Sequence, residues 1–250
     1  MISVRDFSAR VKSGKVLVSQ ISFDLAQGQV LGVYGPNGAG KSTLLRGISG
    51  VAQDRALQGE VILGQKLLSN LKNPVERVHQ VLYLGSDFQA PFDLTVRELF
   101  QMGADTGLKN QGRISEVVES CKLENFLERQ FRSLSDGEKQ LVMFSRVLIQ
   151  GPLIVVLDES FSKLDLDKLI LVTRMIRQST ALGMTFVIAA HDLNFLSEVS
   201  DELLFLKNGL SLGFGPVMNI LTASMLESLY PDVALQVVRS PETGKFKVLY

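Results

Sequence analysis

The sequence predicts an α/β fold in which a helical segment interrupts a sheet-bearing core, and three patterns carry that expectation. The runs "LIVVLDE" (153–159) and "TFVIAAHD" (185–192) are continuously apolar up to their last residues, as parallel strands covered on both faces are. Residues 2–34 instead alternate, the habit of half-buried strands. Residues 91–150 carry mainly helical spacing.

Along the chain, "ISFDLAQGQVLGVYG" gives an amphipathic strand, a Gln27-Gly28 turn and a more apolar strand that runs into a glycine-rich loop. "TLLRGISGV" after Ser42 has helical spacing, and "GEVILGQKLL" from 59 returns to strand character. "TVRELFQMG", "RISEVVESCKLENFLERQF" and "EKQLVMFSRVLIQ" form the helical insertion. The core then resumes with the strand at 153, a helix over about 166–180, the strand at 185, a helix over about 193–199 and the strand "ELLFLKNG". No repeat or linker divides the chain, so the expectation is one domain over 1–250, with its core in 1–90 and 151–250 and a helical subdomain in 91–150.

Composition excludes several classes of partner. Twenty-six basic residues balance twenty-six acidic ones, so no global field holds a phosphate backbone, and nucleic acid is not an expected partner. The lone cysteine, Cys121, reads as an apolar filler in a reducing compartment. Charges at Arg5 and Asp6 break the N-terminal stretch before it could serve as a signal peptide, and no apolar run reaches membrane-spanning length. A cytoplasmic protein is expected, with membrane contact only through a partner.

The loop "GPNGAGKST" fits G-x-x-x-x-G-K-[ST] and stands between a strand and a helix, where the chemistry needs it. Gly35, Gly38 and Gly40 allow the backbone angles that turn successive N–H groups inward in a binding loop that also holds Pro36, Asn37 and Ala39, and the helix opening at Lys41-Ser42-Thr43 aims its positive end at bound phosphates. Lys41 is expected to reach the β and γ phosphates, and Ser42 to ligate Mg²⁺. Asp158 ends its strand where it can hold the magnesium shell. Glu159, placed on the opposite side by strand alternation, can take a proton from a water attacking the γ-phosphate. His191 leaves a second apolar strand expected to lie beside the first, which points it at the γ-phosphate, whereas His79 reads as an ordinary polar-surface residue. In "LSDGEKQ", Ser135 and Glu138 form a capping box, but Gly137 inside the first turn weakens that helix and makes sense where a ligand approaches the backbone.

"GPNGAGKST", "LSDGEKQ", "LIVVLDE", "SKLD" and "AAHD" occur in the order of Walker A, signature, Walker B, D-loop and H-loop, and over nearly its whole length the chain resembles the ABC-type ATPases. That resemblance implies a P-loop NTPase (RecA-like) core with an N-terminal antiparallel β subdomain and an inserted α-helical subdomain. It implies ATP and Mg²⁺ as the bound pair and a homodimer that sandwiches two ATP molecules head to tail. Ser135 and Gly137 would then contact the γ-phosphate held by the other copy, and Asp165 would lie at the seam. The "LSDGE" form and the tail from "HDLNFLSEV" to "SLY" further resemble ATPase subunits of importers for iron-siderophore, haem or cobalamin complexes. Such subunits sit on the inner face of the membrane, joined to permease subunits and served indirectly by an external binding protein. Two positions depart from the pattern. "YLGSDFQAPFDLTV" puts Ser86 where the family has its Q-loop glutamine, a metal-side position, with Gln89 three residues on as the alternative. "RVKS" lacks an aromatic for adenine, leaving Arg10 to stack. A Mg-dependent ATPase that drives import is the expected function; a nucleotide-gated regulatory or assembly module with weak hydrolysis is the alternative.

Overall fold

In the computed structural model the described residues are 1–52, 55–86, 93–104, 111–233, 235–239 and 246–249. Strands β1 (Ile2–Val11) and β2 (Val16–Leu25) pair antiparallel, with Ile2 opposite Leu25 and Val4 opposite Phe23. Their alternation buries Ile2, Val4, Phe7 and Ala9 on one side. Asp6 takes a left-handed angle where the register shifts between Val4 and Phe7, and Gln20 where it shifts again between Phe7 and Ala9, irregularities that period-two reading does not foresee. Strand β3 (Val30–Tyr34) is buried throughout and delivers the glycine loop to helix α1 (Lys41–Ile48). Strand β4 (Arg55–Leu63), longer than the expected start at 59, lies on the other side of β1, and β5 (Lys66–Leu67) completes that sheet.

Helix α2 (Pro74–Gln80) starts on the Asn73 cap with proline in its first turn and feeds β6 (Val81–Gly85). Then come α3 (Val96–Ala104), α4 (Gln111–Ser120) and α5 (Asp136–Gln150). The helical spacing over 113–131 is cut short: α4 ends at Ser120 because Lys122 turns left-handed and the Leu123 N–H closes back on Val118 O at 2.9 Å. After α5 follow β7 (Ile154–Asp158), α6 (Leu166–Ala181), β8 (Thr185–Ala189), α7 (Leu193–Val199), β9 (Glu202–Lys207), β10 (Leu210–Pro216), α8 (Val217–Ile220) and α9 (Ala223–Leu229). Strands β11 (Gln236–Arg239) and β12 (Phe246–Leu249), which pair antiparallel, follow them.

The central sheet runs β10-β9-β3-β8-β7-β6, parallel except for the antiparallel edge strand β10. Its pleat sorts side chains between two apolar clusters. Val156 and Val187 join Ile2, Val4, Leu44 and Leu45 between the sheets and α1, while Val155, Leu157, Phe186 and Ile188 meet Phe144, Val172 and Leu196 beneath α5, α6 and α7. Covering on both faces is the reason the two runs lack polar alternation. Val96, Phe100, Val117 and Val147 of the helical segment belong to that second cluster too, and Cys121 is buried within it. No described helix is long and apolar enough to cross a membrane.

Candidate active site

The site forms where β3, β7, β8 and β6 end on the same side of the parallel sheet. At the exit of β3, a Cβ on Gly35 would fall 2.1 Å from the Leu206 carbonyl oxygen, so only glycine lets the loop pass β9. Gly38 and Gly40 both take positive φ, 78° and 103°, and Gly40 caps α1 without a side chain. The first turn of α1 therefore offers its N–H groups to an anion rather than to a capping oxygen. Lys41 is buried, its ammonium donating to the carbonyls of Gly35 at 2.8 Å and Pro36 at 3.3 Å. Burial lowers its pKa, opposed by the negative charges of Glu159 and Asp158. Ala39 and Thr43 are buried and hold the loop's shape, with Ala39 N–H donating to Pro36 O at 3.1 Å, whereas Asn37 is exposed.

Asp158, the last residue of β7, is buried. Its Oδ1 accepts from the Ser42 hydroxyl at 3.0 Å and its Oδ2 from the Tyr83 hydroxyl at 2.7 Å. Glu159 lies beyond the strand with φ of 54°, so the expectation that strand alternation turns it away from Asp158 fails: the pleat ends one residue earlier, and a left-handed turn sets its direction. Its N–H donates to Ala189 O at 2.9 Å, pinning the turn against β8. Strands β7 and β8 are neighbours, Asp158 beside Ala189, as expected. His191 follows β8 just before α7, which Asp192 caps through the N–H groups of Asn194 and Phe195. Its Nε2 stands 2.8 Å from Glu159 Oε1, within hydrogen-bond distance.

Ser42, Arg46, Tyr83, Ser86, Asp158 and Glu159 line one open cleft of about 460 Å³. Ser86 is exposed on its rim, and Gln89 lies outside the described residues. Ser135, Gly137 and Asp165 are not among its lining. Ser135 makes the capping box with Glu138, its N–H donating to Glu138 Oε2 at 2.7 Å. Gly137 has a neighbour within its own chain: a Cβ there would meet the Lys163 carbonyl oxygen at 2.8 Å, so packing accounts for the glycine without a ligand. Asp165 caps α6 and accepts from Lys168 N–H at 3.0 Å. Arg10 is exposed on β1, and His79 closes α2 away from the cleft. Sequence reading missed Tyr83 and Arg46; a phenol inside the apolar strand "VLYLG" is the one signal that could have marked the former.

Comparison with known proteins agrees with this arrangement. The ABC transporter family description matches residues 18–162. The chain is 33% identical over 240 residues to the hemin import ATP-binding protein HmuV of Bradyrhizobium diazoefficiens, covering 92% of this chain and 88% of that one. It is 30% identical over 226 residues to the manganese transport system ATP-binding protein MntB of Listeria monocytogenes, covering 87% and 91%. A solved structure described as a metal-chelate type ABC transporter in an inward-facing conformation aligns with a TM-score of 0.78 at 26% identity, over 100% of this chain and 97% of that chain. The chain belongs to the ABC transporter family, as an ATP-binding, ATP-hydrolysing subunit whose catalysis is coupled to transport.

Proposed function

We propose that this chain closes as a homodimer over two ATP molecules and powers an importer for an iron-chelate, haem or cobalamin-type cargo, held by permease subunits on the inner face of the membrane and served indirectly by an external binding protein. The observation that carries the ATPase part is one cleft lined by the Ser42–Asp158 pair and by Glu159, with His191 2.8 Å from Glu159 and Lys41 buried in the adjoining loop. The cargo class rests on the similarity to a hemin importer subunit and to a metal-chelate transporter, and on the resemblance of the "LSDGE" segment and the tail over 191–230. The division into a core of 1–90 and 151–250 with a helical subdomain of 91–150 belongs to the same reading.

The residues present suit Mg²⁺. Asp158 carries its charge into a buried position where its hydrogen bonds come from two neutral hydroxyls, leaving an oxygen-only donor set of the kind a hard cation takes. Ser42 and Asp158 would hold the ion, with Ser86 on the metal side of the same cleft. When bound, Mg²⁺ neutralises phosphate charge as the terminal phosphoryl group departs.

The chain's own groups supply the rest. Lys41 exchanges two carbonyl oxygens for phosphate oxygens, a transfer favoured because its ammonium is already desolvated. N–H groups of Gly38, Gly40, Lys41, Ser42 and Thr43 would line the anion. Glu159 accepts the proton of the attacking water, an act worth roughly 10²–10⁴ in rate. His191, 2.8 Å from Glu159 Oε1, orients that carboxylate toward the water and stands ready to touch the γ-phosphate. Ser135 and Gly137 of a second copy would close the site across the phosphate, with Asp165 at the seam. Glu159→Gln tests this reading: it should abolish turnover, retain ATP binding and trap an ATP-dependent dimer seen by sedimentation. An unchanged hydrolysis rate removes Glu159 from the role. Wild-type turnover near zero would favour the nucleotide-gated module instead.

A further inference from the structure

The cleft contains a relay that no role above uses. Arg46 Nε–H donates to the Tyr83 oxygen at 3.1 Å, and the Tyr83 hydroxyl donates to Asp158 Oδ2 at 2.7 Å. The direction is fixed by chemistry, since a guanidinium only donates and a carboxylate only accepts. With Ser42 donating to Oδ1, both oxygens of Asp158 are taken, one from the first turn of α1 and one from β6. The geometry points to Tyr83 as a positioning residue for the metal site: it locks the Asp158 carboxylate in the rotation that faces Ser42, and Arg46 acts through it. This rests on the reading of Ser42 and Asp158 as the magnesium-holding pair.

Three observations carry it. Asp158 is almost fully buried, so an unclamped carboxylate there would have to find another donor for Oδ2 within protein. Ser86, three residues further on, stands exposed on the rim, so β6 is tied to the carboxylate through the phenol. Arg46 sits one helical turn beyond Ser42 on α1, so the relay joins two turns of that helix to the ends of β6 and β7.

Mn²⁺ binding to the full chain with the β,γ-imido analogue of ATP, followed by electron paramagnetic resonance, tests this without turnover. Tyr83→Phe should weaken Mn²⁺ roughly tenfold, the scale of lost outer-shell contacts, while analogue affinity in EDTA is unchanged. Arg46→Met should weaken Mn²⁺ less, and combining it with Tyr83→Phe should add nothing, as expected when one residue works through the other. Wild-type Mn²⁺ affinity in folded Tyr83→Phe overturns the proposal, and additive losses overturn the role of Arg46. If Tyr83→Phe misfolds by circular dichroism, wild-type Mn²⁺ affinity in Arg46→Met overturns the relay. Asp158→Asn separates the two readings: retained Mn²⁺ binding there would sink the metal assignment itself.

Discussion

Replacing Gly137 by alanine decides between two accounts of the signature glycine. In a free helix the change would stabilise, because alanine exceeds glycine by up to about 1 kcal/mol in the interior and by less this close to the N-cap. Here the new Cβ would sit 2.8 Å from the Lys163 carbonyl oxygen, closer than carbon and oxygen tolerate. That carbonyl has little room to retreat. The Lys163 N–H is held by Gln140 Oε1 at 3.0 Å, and the next N–H, of Leu164, closes on Phe161 O at 3.2 Å. Overpacking of this kind costs about 1–3 kcal/mol, against a helix gain below about 1 kcal/mol, so the net loss is about 1 kcal/mol. For a chain of this size that lowers Tm by roughly 2–4 °C. Scanning calorimetry on the nucleotide-free protein reads it directly. A Tm that rises as a free helix would have it refutes the packing argument. A Tm that stays put while ATPase activity disappears shows that glycine is kept for a ligand across the dimer rather than for Lys163.

Other perturbations test other parts of the structure. Ser135→Arg and Lys41→Ala should each be inactive alone, yet a mixture that forms heterodimers should regain hydrolysis from the one site built of two intact halves; an inactive mixture of proven heterodimers counts against action in trans. Phe144 is fully buried and meets Phe161 edge-on at 5.2 Å, so Phe144→Ala should cost about 3–5 kcal/mol in urea unfolding. The Ser3 hydroxyl, and after it Arg5, holds Asp24 below its ordinary carboxylate pKa. A lowered folded-state value means that this stability is present above the ordinary pKa and is lost as pH falls through the folded one. Asp24→Asn should therefore flatten the acid limb of the stability curve; being largely exposed, the pair should change neutral-pH stability little.

Contiguous signals were legible in the sequence, and contacts between distant segments were not. The loop at 35–43 could be placed between strand and helix because its glycines, lysine and serine are neighbours in the chain, and the two apolar runs could be read as doubly covered strands because burial leaves no polar alternation. The direction of Glu159 was misjudged by one residue, since nothing local shows that the pleat ends at Asp158 and a left-handed turn follows. Tyr83 escaped because its partner is 75 positions away, brought near only by pairing β6 with β7. The packing account of Gly137 was likewise out of reach, because the backbone that approaches it belongs to a loop 26 residues downstream.

That loop gives the site a property that its motifs, taken one by one, do not express. Residues 158–165 begin with the carboxylate that faces Ser42, continue with Glu159, and return along the start of α5. There Lys163 meets Gly137 through its carbonyl, Gln140 through its N–H and Asp136 through its ammonium at 2.7 Å. On the other side Ser160 donates to Leu84 O at 2.7 Å, which fastens the same loop to β6 next to Ser86. One short peptide thus packs against the residues proposed to act on its own nucleotide and against those proposed to reach across to a second copy. The exposed Lys163–Asp136 pair contributes little to holding it, whereas the buried Ser160 and Gln140 bonds and the close approach at Gly137 leave little slack. Any shift of Ser135 and Gly137 toward a partner must therefore either carry the 158–165 loop with it or break those bonds. In the first case closure at one site is felt at Glu159 of the other, and in the second it is not.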